Sequence, residues 1–255
     1  MINFNTVEEK LKKKDIYPNS AFWIGGKHAV EMAISNNKRK IIKLSLHEKH
    51  RNSHITYSRN IKINYENENF FKKIFNNEIP HQGYALLVEK IKQDSLKIYL
   101  DNNNVCNIIA LDGITDPRNI GSIVRNAVAF NFDAILINKK DFNSKSFLLY
   151  KAASGAMEKI IFFESSNIIN EIKFLKTKNF WVVGMDGLAK ESIYNYKINT
   201  KNIIIFGSES VGIRKIVRDN CDILCKIPIS KNIESLNVSN AVAVVASILN
   251  KKINL

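Results

Sequence analysis

Five short, nearly continuous apolar segments in the second half of the chain constrain its fold most: Asn107–Leu111 (NIIAL), Ala134–Asn138 (AILIN), Phe180–Gly184 (FWVVG), Asn202–Gly207 (NIIIFG) and Asp222–Ile229 (DILCKIPI). They do not alternate apolar with polar residues, so each reads as a strand buried on both faces. Helical segments lie between them, and strands alternating with helices build a mostly parallel sheet with helices on either side. The second half is therefore predicted to be an α/β domain over residues 107–255. A chain of 255 residues exceeds the usual size of one domain, which leaves room for a second.

The first third supplies it. AFWIGGKHAVEMAIS (Ala21–Ser35) reads as a strand, a Gly25-Gly26 turn, and a helix whose apolar positions are Ala29, Val30, Ala33 and Ile34. Ile41–His47 and the Ile61/Ile63 alternation read as strands, Glu68–Phe75 as a short amphipathic helix, and YALLVEKI from Tyr84 as a closing strand. This makes a small α/β domain over residues 20–91. Residues 1–19 are expected to be a weakly ordered polar extension, and residues 92–106, with Asp101-Asn102-Asn103-Asn104, a linker.

Lys and Arg number 38 against 24 Asp and Glu, a net charge of +14. The excess is spread evenly, at 18 against 11 in residues 1–105 and 20 against 13 beyond. A distributed positive surface suits an extended polyanion, with nucleic acid the first candidate, although a Lys- and Asn-rich composition produces the same charge with no partner. No basic amphipathic helix favours a membrane surface. The opening MINFNTVEEKLKKK lacks a signal peptide's apolar region, and no apolar run is long enough to span a bilayer. A cytoplasmic protein is expected. Cys106, Cys221 and Cys225, with His28, His47, His50, His54 and His81, show no metal-ligand spacing, so structural thiols and no metal are expected.

Three polar segments interrupt the apolar pattern. In DPRNIGSIVR (Asp116–Arg125), Asp116 or Asn119 can cap a helix that buries Ile120, Ile123, Val124, Ala127 and Val128. Gly121 and Ser122 lie one turn before Arg125 and leave room for its guanidinium to reach an anion near the helix start. Alone, Arg125 also fits a surface arginine on an amphipathic helix. In IIIFGSESVGIR (Ile203–Arg214), Gly207 ends a strand where backbone can approach a ligand, without the pattern of a Walker or dinucleotide loop. Glu209 beside it could hold a ribose or cap the helix that follows. In IPISKNIESLNVSNAVAVVASIL (Ile227–Leu249), Ser235 and Asn237 precede a helix whose Ala241–Leu249 run is apolar nearly all round, so it is expected to be buried on every side by core or by a second subunit. Ser235 also fits a simple helix cap.

In this order, the three segments resemble the three motifs of the SpoU branch of the SPOUT class, the S-adenosylmethionine-dependent RNA ribose 2′-O-methyltransferases. The resemblance covers roughly residues 107–252, and KAASGAMEKI (Lys151–Ile160) is similar to a small-residue segment between the family's first two motifs. GGKHAVEMAI and IPHQGYALLVE (Ile79–Glu89) resemble the ends of the L30e-like substrate-binding domain that precedes some members' catalytic domain. The resemblance implies a parallel sheet tied in a deep trefoil knot, a homodimer, and S-adenosylmethionine held by Gly207, Ile227 and Leu236. It implies site roles for Arg125, Asn119, Glu209, Ser235 and Asn237. The arrangement is most similar to members that methylate a guanosine ribose in 23S rRNA; a tRNA or resistance-type rRNA adenosine methyltransferase, or a non-catalytic RNA-binding assembly factor, stays open. Ser210, Asn131 and Lys231-Asn232 depart from the family pattern without touching those residues.

Overall fold

The structure, a computed structural model, describes residues 17–52, 57, 59–75 and 80–253, with side chains up to residue 250. Most of the expected N-terminal extension, residues 1–16, and His54 lie outside the described residues. In chain order the first elements are β1 (Ala21–Gly25), α1 (Lys27–Ser35), β2 (Ile41–His47), β3 (Ile63–Glu66), α2 (Glu68–Phe75), β4 (Tyr84–Glu89) and α3 (Leu96–Asn102). Then come β5 (Asn107–Asp112), α4 (Pro117–Ala129), β6 (Ala134–Asn138), α5 (Phe147–Ala153), β7 (Ile161–Ser165) and α6 (Ile168–Thr177). The last are β8 (Trp181–Met185), β9 (Glu191–Ser192), β10 (Asn202–Gly207), α7 (Lys215–Arg218), β11 (Ile223–Lys226) and α8 (Val238–Ile253).

The chain divides into two compact units, one reaching Lys92 and including Ser144–Glu158, the other formed by Gln93–Asn143 and Lys159–Leu255. In the first, four strands form a sheet in the order β1-β4-β2-β3, with β4 antiparallel to both β1 and β2. Helix α1 buries Ala29, Val30, Ala33 and Ile34, the four positions its spacing singles out, and α2 buries Phe71 and Phe75. Ser144–Glu158, by sequence a piece of the second half, folds with this unit. Its anchor is Glu158, which receives Arg39 Nη2 at 2.6 Å and Nε at 3.2 Å, with side chains only 3% and 2% exposed. The same guanidinium donates to the Glu89 carbonyl at 3.0 Å and the Tyr150 hydroxyl at 3.3 Å, and Asn36 donates to Glu158 at 2.7 Å. A buried charge pair is tolerable where the remaining donors and acceptors are filled in this way.

The second unit holds a seven-stranded sheet ordered β7-β6-β5-β10-β8-β11-β9, and every neighbouring pair is parallel. Strands β5 and β6 are buried along their whole length, as their apolar runs require. On one face Leu96, Ile172, Leu175 and Val217 join the strand residues in a continuous core. On the other, α8 packs against α4 and β10. The sequence reading omits β7 and the two-residue β9. It also takes residues 92–106 for a linker, whereas Ser95 caps α3 and both Leu96 and Val105 are buried in the second unit's core. The short LKIYL run among charged and Asn-rich neighbours spans too few turns for its periodicity to announce a helix.

Helix α8, expected to be buried on every side by core or by a second subunit, is covered by its own chain along one stripe. Within the chain Val238, Val242, Val245, Ala246 and Leu249 are buried, while Ala241, Ala243, Val244 and Ile248 are only half-buried. The chain runs outward from β5 through β6 and β7, crosses to β8, and returns β10 into the slot between β5 and β8. Crevices at the carboxyl ends of such order reversals are where α/β sheets take ligands.

Glu158→Ala would leave the Arg39 charge buried and unpaired, a loss of about 3–5 kcal/mol. Urea unfolding followed by Trp23 fluorescence in a Trp181→Phe background checks this for the first unit. Arg39→Met with Glu158→Leu should recover most of the loss.

Candidate active site

Helix α4 begins with Asp116 as its cap, Oδ1 accepting from the Arg118 backbone at 2.8 Å, and Pro117 in the first turn. Asn119, the alternative cap in the sequence, is therefore free to point elsewhere. Its Nδ2 donates to Glu209 Oε1 at 3.4 Å, and its Oδ1 accepts from Asn237 Nδ2 at 3.0 Å. The same Asn237 amide donates to Glu209 Oε1 at 2.7 Å. Asn119, Glu209 and Asn237, which are 90 and 28 residues apart in successive steps, thus close on one carboxylate oxygen.

Asn237 is also the residue that starts α8. Its Oδ1 accepts from the Ser239 backbone at 3.0 Å and hydroxyl at 2.6 Å, and its carbonyl accepts from Ala241. Ser235, two residues earlier, is exposed and does not cap the helix. Glu209 does not cap α7 either, since no side chain does. It instead accepts from the Val238 backbone at 3.3 Å, placing negative charge at the positive end of α8.

Gly207 is dictated by its own loop. A Cβ there would stand 2.0 Å from the Gly212 carbonyl carbon and 2.2 Å from the Ile213 nitrogen. The loop folds back through the Gly212 N–H to Ser208 carbonyl bond at 2.8 Å, with Gly212 at φ +69°, a left-handed conformation that suits glycine. Beyond it, the Arg214 backbone donates to Asp112 Oδ2 at 2.9 Å while Nε and Nη2 reach Oδ1 at 2.7 and 2.6 Å. That hydrogen bond, with the charge of Asp112 behind it, holds the Arg214 guanidinium above its ordinary pKa against a smaller opposing effect of burial.

Arg125 lies six residues after Asn119 on α4, about 9 Å along the axis at roughly 1.5 Å per residue. It is exposed. Of the seven arginines, all within the described residues, Arg39, Arg118, Arg214 and Arg218 meet carboxylates, Arg59 meets the carbonyls of Arg39 and Asn37, and Arg51 lies over the Tyr65 ring. Arg125 has no such partner among the described residues. The next residue, Asn126, ties α4 to the start of α8 by donating to the Ser239 carbonyl at 2.9 Å. The sequence reading passes over Asn126 and Asp112. The seven-residue spacing from Asn119 puts Asn126 on the same helix face, and Asp112 is a charged residue ending the apolar strand β5.

The proposed cofactor positions Gly207, Ile227 and Leu236 are half-buried: Gly207 ends β10, Ile227 follows β11, and Leu236 precedes Asn237. Added Cβ atoms at Gly187 and Gly212, in the loops after β8 and β10, would meet nothing within 4 Å. The parallel strands bring these loops out at one sheet edge, and their open backbone suits a ligand gripped by main-chain groups. No group of three or more His, Cys, Asp or Glu able to hold a metal occurs among the described residues. Burial pushes the Cys221 thiol up to about 12, as expected of a structural thiol.

The profile of the SpoU rRNA methylase family matches residues 107–247. The chain belongs to the SpoU rRNA methylase family. A second profile, for RNA 2′-O ribose methyltransferase substrate binding, matches residues 23–93. A SpoU relative from Pectobacterium atrosepticum, the 23S rRNA (guanosine-2′-O-)-methyltransferase RlmB, is 32% identical over 167 residues, covering 64% of this chain and 68% of its own. The Shewanella oneidensis RlmB is 29% identical over 248 residues, covering 92% and 96%. Among solved structures, the SpoU methyltransferase AviRb from Streptomyces viridochromogenes, in complex with AdoMet, matches with a TM-score of 0.79 at 16% identity, over 99% of this chain and 94% of that one. The SpoU match contains all eight site residues named from the sequence.

Gly207→Ala is expected to destabilise the second unit by at least ~1–3 kcal/mol, because the added carbon overlaps main chain that cannot move aside. Gly187→Ala should stay within ~0.5 kcal/mol. Urea titration read by Trp181 fluorescence in a Trp23→Phe background compares the two.

Proposed function

We propose that this SpoU family member transfers the methyl group of S-adenosylmethionine to the ribose 2′-hydroxyl of a guanosine in 23S rRNA. The observation that carries the reading is the Asn119–Glu209–Asn237 cluster, on whose helix α4 also stands Arg125, the one arginine without a partner among the described residues. The relatives named as 23S rRNA guanosine methyltransferases support the substrate, and the AdoMet complex of a fold neighbour supports the cofactor. The enzyme acts in the cytoplasm, in keeping with the absence, among the described residues, of a helix long and apolar enough to cross a membrane.

Held at Gly207, Ile227 and Leu236, S-adenosylmethionine supplies an electrophilic methyl group on a sulfonium that leaves readily. The protein's task is the weak nucleophile. Arg125 holds an RNA phosphate and stabilises negative charge as it grows on the 2′-oxygen. A guanidinium does not accept a proton near neutrality, so the hydroxyl proton leaves through the RNA phosphate to solvent. Asn119, Glu209 and Asn237 orient the ribose, and Ser235 adds a hydroxyl from the exposed loop. The basic first unit, residues 20–91, selects the RNA, supported by its match to a substrate-binding profile. The half-buried residues Ala241, Val244 and Ile248 of α8 pack against a second copy in a homodimer. The return of β10 between β5 and β8, followed by α8 packing back on β10 and α4, supports a trefoil knot.

Arg125→Ala should lower methyl transfer by ~10²-fold or more, with cofactor affinity and thermal midpoint unchanged. Arg125→Lys should restore only part of the rate, because a point charge lacks the planar fork. The assay is incorporation of labelled methyl into purified rRNA and tRNA fractions, followed by mapping of primer-extension stops. Near-normal turnover by Arg125→Ala would sink the role given to Arg125. Label confined to tRNA would overturn the substrate.

A further inference from the structure

Asp112 is a charged side chain, wholly buried, at the carboxyl end of an apolar strand, and nothing in the proposed chemistry touches it. It stands in register with Gly207 on β10, where the Gly207–Ile213 loop leaves the sheet. It also receives three donors from Arg214, where that loop ends. Asp112 thus stands at both ends of a seven-residue loop that carries Glu209: its backbone lies in register with Gly207, and its carboxylate holds Arg214. Between those ends the loop's own ties are few: the Ser208–Gly212 bridge and a 3.3 Å bond from the Val211 backbone to the Ser208 hydroxyl. Glu209 and Ser210 are exposed, so packing does not fix where the Glu209 carboxylate stands.

We infer that Asp112 and Arg214 are positioning residues for methyl transfer, clasping the loop so that Glu209 Oε1 meets the amides of Asn119 and Asn237. The inference rests on the methyltransferase reading of that cluster. An exposed ion pair contributes little, but this one has a buried carboxylate and a fork that fixes direction as well as distance. Arg214 itself is 43% exposed, so changing it need not unfold the unit.

The test is a double-mutant cycle in the full-length protein, read as single-turnover methyl transfer to rRNA. Arg214→Lys keeps the charge and loses the fork, and should lower the rate about tenfold with KM for RNA and cofactor moving less than ~threefold. In a Glu209→Ala background the same change should cost less than ~twofold, because the residue through which it acts is gone. Asp112→Asn should follow the same pattern; if it fails to fold, Arg214→Lys carries the test alone. The side-chain amide signals of Asn119 and Asn237, assigned by their loss in the Ala variants, should move in Arg214→Lys part of the way they move in Glu209→Ala. Equal losses in both backgrounds, a change confined to KM, or unmoved amide signals would overturn the positioning role. A wild-type enzyme that methylates no RNA would instead overturn the reading on which it rests.

Discussion

The register of one strand pair governs the functional edge of the second unit. β10 reaches the sheet late in the chain, yet it occupies the slot beside β5, residue for residue from Asn202 opposite Asn107 to Gly207 opposite Asp112. Parallel neighbours end at the same edge, so the loop after β5, with the start of α4, emerges beside the loop after β10. A slip of one residue would reverse the faces of Ile203–Phe206 and carry Glu209 away from Asn119. The buried Asn202 amide, which donates to Asn107 Oδ1 at 2.9 Å, would lose that acceptor in such a slip. Placement of polar groups at this edge is thus secured from the opposite end of the two strands.

The two polar clusters of the molecule use that security differently. Around Arg39, donors and acceptors are matched and withdrawn from water, which fits a part whose work is to hold a segment in place. Around Glu209 the groups face solvent, where hydrogen bonds contribute about 1 kcal/mol or less to stability. Asn237 and Glu209 also close the first turn of α8, through the Ser239 and Val238 backbones. Under the proposed reading a ligand offering hydroxyls meets Glu209 Oε2 and the second Asn119 amide proton, for which no partner occurs among the described residues.

Local pattern carried the elements well. The burial of α1 could be read from Ala29, Val30, Ala33 and Ile34, and that of α4 from Ile120, Ile123, Val124 and Ala127, because helical spacing encodes a face directly. It failed where the deciding neighbour is remote. Whether Asp116 or Asn119 caps α4 depends on Glu209, 90 residues beyond Asn119, and whether Ser235 or Asn237 starts α8 depends on the same side chain. The attachment of Ser144–Glu158 to the first unit turns on Arg39, 119 residues from Glu158. The proposed site residues rest on the family resemblance of three motifs. The spacing of each motif alone left a structural reading open.

The arginines carry this distinction to its end. A guanidinium has five donors in a fixed fork and cannot shed its charge, so in a settled structure it is normally matched to carboxylates, carbonyls or a ring. Arg39 and Arg214 are matched most completely, and each ties together segments far apart in the chain. Arg125 stands on the same helix as Asn119, beyond small Ser122 and beside Asn126, with nothing matched to it among the described residues. A helix this well packed has no need of a charge at that position. Under the proposed function that fork takes an RNA phosphate, and the strand register that delivers Glu209 to Asn119 also sets how far from it a ribose would lie.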